Sequence, residues 1–135
     1  MLYIYNNYME SKKSVLIIED ERMISDAIKE KLSEDAHINI ITARDGRDGL
    51  DKVIAEKPDL VLLDLIMPVM NGVDLLKTMR STEEGMRTKV IIISNLDKEN
   101  IVQTNFDDLD ISEYIVKADL DIDVLLEKVQ SHLGV

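Results

Sequence analysis

Residues Pro58–Gly72 read PDLVLLDLIMPVMNG, an apolar run that ends in an aspartate and is followed by turn-forming residues. The residues Leu60–Leu63 are all apolar and lack the alternation of apolar and polar residues that marks a strand with one solvent-exposed face. This pattern is typical of a parallel strand that is buried on both faces. A carboxylate at the end of such a strand lies at the carboxyl edge of the sheet, where open α/β sheets have their binding crevices. Asp64 is therefore a candidate site residue.

The rest of the chain alternates short apolar runs with segments of helical periodicity. Buried strands that alternate with helices imply right-handed crossovers and an α/β domain, a parallel sheet with helices on both faces. The predicted strands are Ser14–Ile18, His37–Ala43, the run before Asp64, Lys89–Ser94 and Glu113–Val116; the predicted helices cover about residues 21–33, 46–56, 73–80 and 97–106 and the segment that Asp121 caps.

Length and composition limit the kind of protein. The 135 residues suit one domain, and the chain has no cysteine for a disulfide or a thiolate metal site. No apolar run approaches the roughly 20 residues of a membrane span, and no signal peptide is evident, so we expect a cytoplasmic protein. The formal charge of −11 disfavours direct binding to nucleic acid or to a membrane surface. We expect residues 1–13 to be a loose extension and residues 14–135 to form the domain.

Polar residues stand at the carboxyl ends of the predicted strands. Glu19 and Asp20 follow the first strand, Asp64 the third, Ser94 ends the fourth, and Lys117 follows the fifth. Because the strands are parallel, all these ends face one rim. Three carboxylates crowded there repel one another unless a cation joins them, and an all-oxygen site suits Mg²⁺ better than zinc or copper.

This set of groups fits phosphoryl transfer. The carboxylate of Asp64 can attack a phosphoryl group, while Mg²⁺ and the ammonium of Lys117 neutralise the oxygens of the transition state. The hydroxyl of Ser94 can donate to a phosphoryl oxygen, a charge-assisted hydrogen bond of about 1.5 to 3 kcal/mol.

The order of these motifs closely resembles the receiver domain of two-component response regulators. The resemblance extends from about Ser14 to Leu133 and implies the flavodoxin-like, doubly wound (βα)5 sandwich with strand order 2-1-3-4-5. The motifs that carry it are the Glu19-Asp20 pair, Asp64 followed by Leu-Ile-Met-Pro-Val-Met-Asn-Gly, Ser94 after an isoleucine run, and Tyr114-Ile-Val-Lys117.

The resemblance implies a role for each residue of the site. Family members receive a phosphoryl group from a sensor histidine kinase or a phosphotransfer protein and then rearrange the face of the fourth helix, fifth strand and fifth helix. The implied roles are Asp64 as phosphoacceptor; Glu19, Asp20 and Asp64 with the backbone carbonyl of Ile66 as Mg²⁺ ligands; Ser94 as switch hydroxyl; Lys117 as pocket lysine; and Tyr114 as the aromatic that turns inward on activation.

Two residues depart from the family pattern. Ala118 follows Lys117 where the family usually has a proline in a cis bond, and a cis Lys117–Ala118 bond would cost roughly 2.5 to 4 kcal/mol. We therefore predict a trans bond. Asn95 follows Ser94 where small residues are common in the family, and we expect it to narrow the access of the phosphoryl group.

The sequence thus predicts a single-domain response regulator whose output is a downstream target protein or a phosphorelay, because nothing after Leu133 could hold an output domain. Such a domain catalyses only its own phosphorylation and dephosphorylation. Two alternatives stay open, a phosphorylation-independent interaction module and a receiver fragment of a longer regulator, as do monomer and dimer. A haloacid-dehalogenase-type phosphatase is disfavoured because Ile66 stands where its second aspartate would be.

Overall fold

The computed structural model of the chain describes residues 12–96 and 106–135. Within these ranges no helix has the length and apolar composition that crossing a membrane requires. The strands are β1 (Lys13–Ile18), β2 (Ile38–Ala43), β3 (Leu60–Leu63), β4 (Lys89–Ser94) and β5 (Glu113–Val116), and the α-helices are α1 (Arg22–Leu32), α2 (Gly46–Glu56), α3 (Gly72–Arg80) and α4 (Ile122–Leu133). Short 3₁₀ helices occupy Phe106–Leu109 and Lys117–Asp119.

The sheet is parallel throughout, with strand order β2-β1-β3-β4-β5. This confirms the flavodoxin-like fold and the strand order that the resemblance implied. The register aligns Ile18 of β1 with Leu63 of β3, so Glu19 and Asp64 leave the sheet side by side. On the other side, Ser94 of β4 is aligned with Val116 of β5. The predicted polar residues therefore do share one rim.

Successive side chains of the buried strands point to opposite faces, and each face has its own core. Helices α2 and α3 cover one face and α1 and α4 cover the other, which is why Leu60–Leu63 are buried without exception. The first core includes Ile18, Val61, Leu63, Ile92, Val53, Leu75 and Met79; the second includes Ile17, Leu60, Leu62, Ile91, Ile28, Leu125 and Val129.

Most element boundaries agree with the sequence prediction to within one residue. The predicted cap is confirmed, since the Asp121 side chain accepts hydrogen bonds from the N–H groups of Asp123 and Val124. Helix α3 begins at Gly72 instead of Val73, because the side chain of Asn71 caps it. The predicted helix over residues 97–106 lies outside the described residues except for Phe106, which begins a 3₁₀ helix.

The last residue of α3, Arg80, holds two loops through its guanidinium group. Its Nε donates to the carbonyl of Leu109 at 2.8 Å, and its Nη1 donates to Gly85 at 2.8 Å and Thr88 at 2.7 Å. Its Nη2 donates to the carbonyl of Asp110 at 3.0 Å. One side chain therefore joins the loop before β4 to the segment before β5.

Candidate functional site

A cluster of acidic side chains lies at the carboxyl edge of the sheet. Glu19 and Asp64 are buried, at 4% and 3% exposed, while Asp20 faces solvent. Each of the three offers a carboxylate oxygen, and these oxygens lie within 4.8 Å of one another. The cluster that the sequence predicted is thus present. Its all-oxygen donor set fits a hard cation such as Mg²⁺.

The ammonium of Lys117 lies inside this cluster. Its Nζ is 2.9 Å from Oδ2 of Asp64, 3.0 Å from Oε2 of Glu19 and 3.0 Å from Oε1 of Glu21. The Lys117 side chain is only 7% exposed, whereas that of Glu21 is 55% exposed. Glu21 was not among the predicted site residues, and its only signal was that it follows the acidic pair. The ammonium of Lys117 therefore contacts three carboxylates, of which two are buried and one lies at the surface.

Burial and pairing act in opposite directions on these charges. Burial raises the pKa of Glu19 to about 7, although the backbone N–H of Glu21 and the ammonium of Lys117 both donate to it. Burial alone would lower the pKa of Lys117, but its hydrogen bonds to the acids outweigh this and hold that pKa above its ordinary value. A single lysine therefore does not neutralise the acid cluster, and a cation bound there would favour ionised carboxylates.

The backbone around Asp64 is fixed by a close approach of helix α3. A Cβ on Gly72 would lie 2.4 Å from the carbonyl oxygen of Asp64, so only glycine fits at the start of this helix. The N–H of Gly72 donates to the carbonyl of Leu65 at 2.9 Å. The carboxylate of Asp64 accepts the N–H of Ile66 at 3.1 Å through Oδ1, which leaves Oδ2 to Lys117. The metal contact predicted for the Ile66 carbonyl stays a prediction.

Ser94 and Tyr114 meet at one residue, Leu96. Ser94 is fully buried at the end of β4, and its Oγ accepts the N–H of Leu96 at 3.3 Å. Tyr114 on β5 donates its hydroxyl to the carbonyl of Leu96. Its ring packs edge-on against Phe106, with centroids 5.9 Å apart. The two backbone groups of Leu96 thus connect the predicted switch hydroxyl to the predicted switch aromatic, whose roles stay predictions.

A further contact joins the loops that follow β4 and β5. Oδ1 of Asn95 accepts the backbone N–H of Ala118 at 2.9 Å. The Lys117–Ala118 peptide bond is trans, as are the other peptide bonds of the described residues, and this agrees with the prediction. Both residues depart from the family pattern in the sequence, but the hydrogen bond between them was not predictable from it.

A groove of about 300 Å³ adjoins the acid cluster on the side of β2. Helix α1 and the end of β2 form its walls, and both Glu19 and Asp20 line it. The other lining residues are Arg22, Ser25, Asp26, Lys29, Thr42 and Arg44. The groove thus opens onto two of the three clustered acids, Glu19 and Asp20.

The sequence of the chain is similar to those of known proteins. The family model of the response regulator receiver domain matches residues 15–130. A protein-glutamate methylesterase/protein-glutamine glutaminase of Methanosarcina acetivorans is 40% identical over 95 residues, which are 68% of this chain and 26% of that protein. The response regulator ArlR of Staphylococcus aureus is 33% identical over 123 residues, which are 88% of this chain and 52% of that protein.

A solved structure of a receiver domain is also similar to this chain. The receiver domain of the Francisella response regulator 1452 superposes with a TM-score of 0.77 at 30% identity, over 91% of this chain and 98% of that one. The chain spans only a quarter to a half of the two curated relatives, 26% and 52%. The likeness therefore concerns only part of each of these relatives. With its fold, its acid cluster and its match over residues 15–130, the chain belongs to the response regulator receiver domain family of two-component systems.

Proposed function

We propose that this domain is a phosphorylation switch in the cytoplasm whose phosphoacceptor is Asp64. The observation that carries the proposal is the pairing of a buried carboxylate with a buried ammonium, 2.9 Å apart, beside two further acids. The phosphoryl donor is a phosphohistidine on a sensor histidine kinase or a phosphotransfer protein. The net charge of −11 supports a protein partner over a nucleic acid for the output.

The reaction transfers one phosphoryl group and leaves the donor histidine free. A carboxylate oxygen of Asp64 attacks the phosphorus, the P–N bond breaks, and the imidazole leaves with the bonding electron pair. The ammonium of Lys117 already contacts Asp64 Oδ2. It can therefore also neutralise the negative charge on the oxygens of the phosphoryl group as that group is transferred. When bound by Glu19, Asp20, Asp64 and the Ile66 carbonyl, Mg²⁺ would supply positive charge that offsets the carboxylates and the phosphoryl oxygens.

The switch acts through Ser94 and Tyr114. A phosphoryl oxygen on Asp64 accepts a hydrogen bond from the O–H of Ser94, and turning of the Ser94 side chain toward that oxygen moves its Oγ away from the N–H of Leu96, which it now accepts at 3.3 Å. Because Tyr114 also bonds to Leu96, movement of that residue frees the tyrosine to turn inward. The change reaches the surface of β5 and the C-terminal helix α4, where a downstream protein or the next member of a phosphorelay binds.

The test is phosphorylation by a small donor. The protein is incubated with acetyl phosphate and Mg²⁺, and its intact mass is measured for wild type, Asp64→Asn and Asp51→Asn. Asp51 lies exposed on α2 and is the matched control. We expect one base-labile phosphoryl adduct on wild type and on Asp51→Asn, none on Asp64→Asn, and none when EDTA removes Mg²⁺. A folded, Mg²⁺-bound wild type that takes no adduct from acetyl phosphate or from a panel of histidine kinases would favour a phosphorylation-independent interaction module.

A further inference from the structure

We propose that Asn95 is a positioning residue for Lys117, acting through its hydrogen bond to the backbone of Ala118. The inference rests on the proposed phosphorylation of Asp64 and gives Asn95 a role different from the narrowing of access that the sequence predicts. Asn95 directly follows Ser94, and Ala118 directly follows Lys117. One hydrogen bond of 2.9 Å therefore connects the neighbours of the two groups that are to contact the phosphoryl oxygens.

The hydrogen bond between Asn95 and Ala118 lies beyond the last paired residues of β4 and β5, where the sheet no longer joins the two chain segments. Ser94 and Val116 are the last aligned pair of β4 and β5. Beyond that pair, the side-chain carbonyl of Asn95 takes the place of a main-chain acceptor and binds the chain on the far side of Lys117. The position of the lysine backbone is thereby fixed relative to Ser94 at the point where the sheet register no longer does so.

This hydrogen bond exists because of the residue type at position 118. A proline there has no N–H and could not donate. Alanine leaves the N–H free, and the amide of Asn95 lies within reach of it. Both residues are exposed, so removing the bond opens no cavity in the core and leaves no buried polar group unpaired. Loss of this hydrogen bond should therefore loosen the loop after β5 without destabilising the fold.

The lysine needs such a constraint because one of the three carboxylates it contacts lies at the surface. Its Nζ contacts Asp64 and Glu19 in the pocket and also Glu21, which is 55% exposed. A backbone that is free to shift outward favours the pairing with Glu21 and withdraws the ammonium from Asp64. Displacements of about 1 Å in a catalytic group can cost up to a hundredfold in rate, so we expect a loss of about tenfold.

A steric role for Asn95 predicts different behaviour, and two substitutions separate the roles. Asn95→Leu keeps the branched shape of the side chain, is bulkier and has no acceptor, and Asn95→Ala removes both the bulk and the acceptor. If the hydrogen bond matters, both variants are slowed at saturating acetyl phosphate while the half-saturating donor concentration stays unchanged. If Asn95 only narrows access, Asn95→Ala reacts faster than wild type and the bulkier Asn95→Leu reacts more slowly; a faster Asn95→Ala would overturn the proposal.

The second measurement needs no phosphorylation. Amide hydrogen exchange at Ala118 is followed by NMR in the three unphosphorylated proteins, and we expect it to be at least fivefold faster in both variants. Unchanged exchange would refute the hydrogen bond as a constraint on the loop. Failure of the proposed function is recognised separately, because wild type itself then takes no phosphoryl group, and the exchange at Ala118 still decides whether Asn95 holds the Lys117 loop.

Discussion

Lys117 and Asp64 form an ion pair, with 2.9 Å between Nζ and Oδ2, that is almost wholly removed from solvent at 7% and 3% side-chain exposure. Taking both charges out of water is costly, and their attraction offsets this only while both partners are present. Glu19 shares the ammonium, so the loss of the lysine would leave two buried carboxylates facing each other. The pair is therefore a point at which stability and the proposed chemistry depend on the same atoms.

Lys117→Met is expected to lower the free energy of unfolding of the Mg²⁺-free protein by about 3 kcal/mol at pH 8. The loss should shrink at pH 5, because the unpaired carboxyls can then bind protons. Urea unfolding at both pH values measures it. Lys128→Met is the control, since Lys128 pairs with Glu113 at the surface and such pairs contribute at most about 1 kcal/mol. Equal losses in the two variants would contradict the buried pair.

Mg²⁺ is expected to stabilise the wild type through the acid cluster. At a concentration of about 100 times the dissociation constant, a ligand of the native state adds about 2.7 kcal/mol. Asp20→Asn should remove most of this gain without destabilising the Mg²⁺-free protein, because it deletes one of three repelling carboxylates. Asp51→Asn, exposed on α2, should keep the gain. Thermal unfolding with and without Mg²⁺ tests both variants, and an undiminished gain in Asp20→Asn would refute the site.

Arg80→Lys is expected to destabilise the domain by about 2 kcal/mol or more, since hydrogen bonds to a charged group contribute about 1.5 to 3 kcal/mol each. A lysine cannot reach the carbonyls of both loops that the guanidinium group now joins. Chemical denaturation provides the measurement. Lys77→Met, exposed on the same helix, should change the stability by less than about 0.5 kcal/mol. An unchanged stability of Arg80→Lys would show that the two loops keep their positions without the guanidinium group.

Val69→Asn is expected to stabilise the domain by about 0.5 to 1 kcal/mol. Val69 has a φ of 70°, a left-handed conformation that strains a β-branched residue and that asparagine tolerates better. Its side chain is 78% exposed, so little packing is lost with it. Val124→Asn, on the helical surface of α4, should give no such gain. Thermal unfolding of the two variants distinguishes relief of strain from a general effect of the amide.

Glu113→Gln is expected to lose about 1 kcal/mol at pH 7, and the difference from wild type should vanish in acid. Hydrogen bonds from Lys128 and His132 hold the pKa of Glu113 below its ordinary value of 4.5. A lowered folded-state pKa contributes stability above the unfolded value, and that contribution disappears as the pH falls through the folded value. Unfolding curves between pH 3 and pH 7 check this, with Glu127→Gln as the control. A difference that does not shrink as the pH falls would exclude the charge as its cause.

The sheet and the acid cluster could be predicted from the sequence for a simple geometric reason. Parallel buried strands end at a common rim, so residues that follow the strands, such as Asp20, Asp64 and Lys117, must meet there. The contact between Asn95 and Ala118 was not predictable in this way, because it depends on the path of two loops. The acceptors of Arg80 were not predictable either, because every residue carries a carbonyl and four such acceptors leave no signature in the sequence.

Turn chemistry was informative about position but not about conformation. Pro68 and the Asn71-Gly72 pair located the loop after β3, yet Asn71 proved to be a helix cap and Gly72 the first residue of α3. The left-handed residue of this loop is Val69, a residue type that rarely adopts this conformation. Local propensity favours asparagine or glycine for such a position, and the sequence places both a few residues later.

The loop between Leu65 and Gly72 is closed at its base by the hydrogen bond between those two residues, and its outer members Ile66 and Val69 are 54% and 78% exposed. At this base, Gly72 allows the start of helix α3 to pack directly against the backbone of Asp64. The exposed tip of the loop, Pro68 and Val69, lies apart from the Ile66 N–H that holds Asp64 and from the Asn71 cap. An engineer could therefore change the surface beside the proposed phosphoacceptor at these two positions without rebuilding the site. The same separation would let evolution retune the choice of partner while the chemistry stays in place.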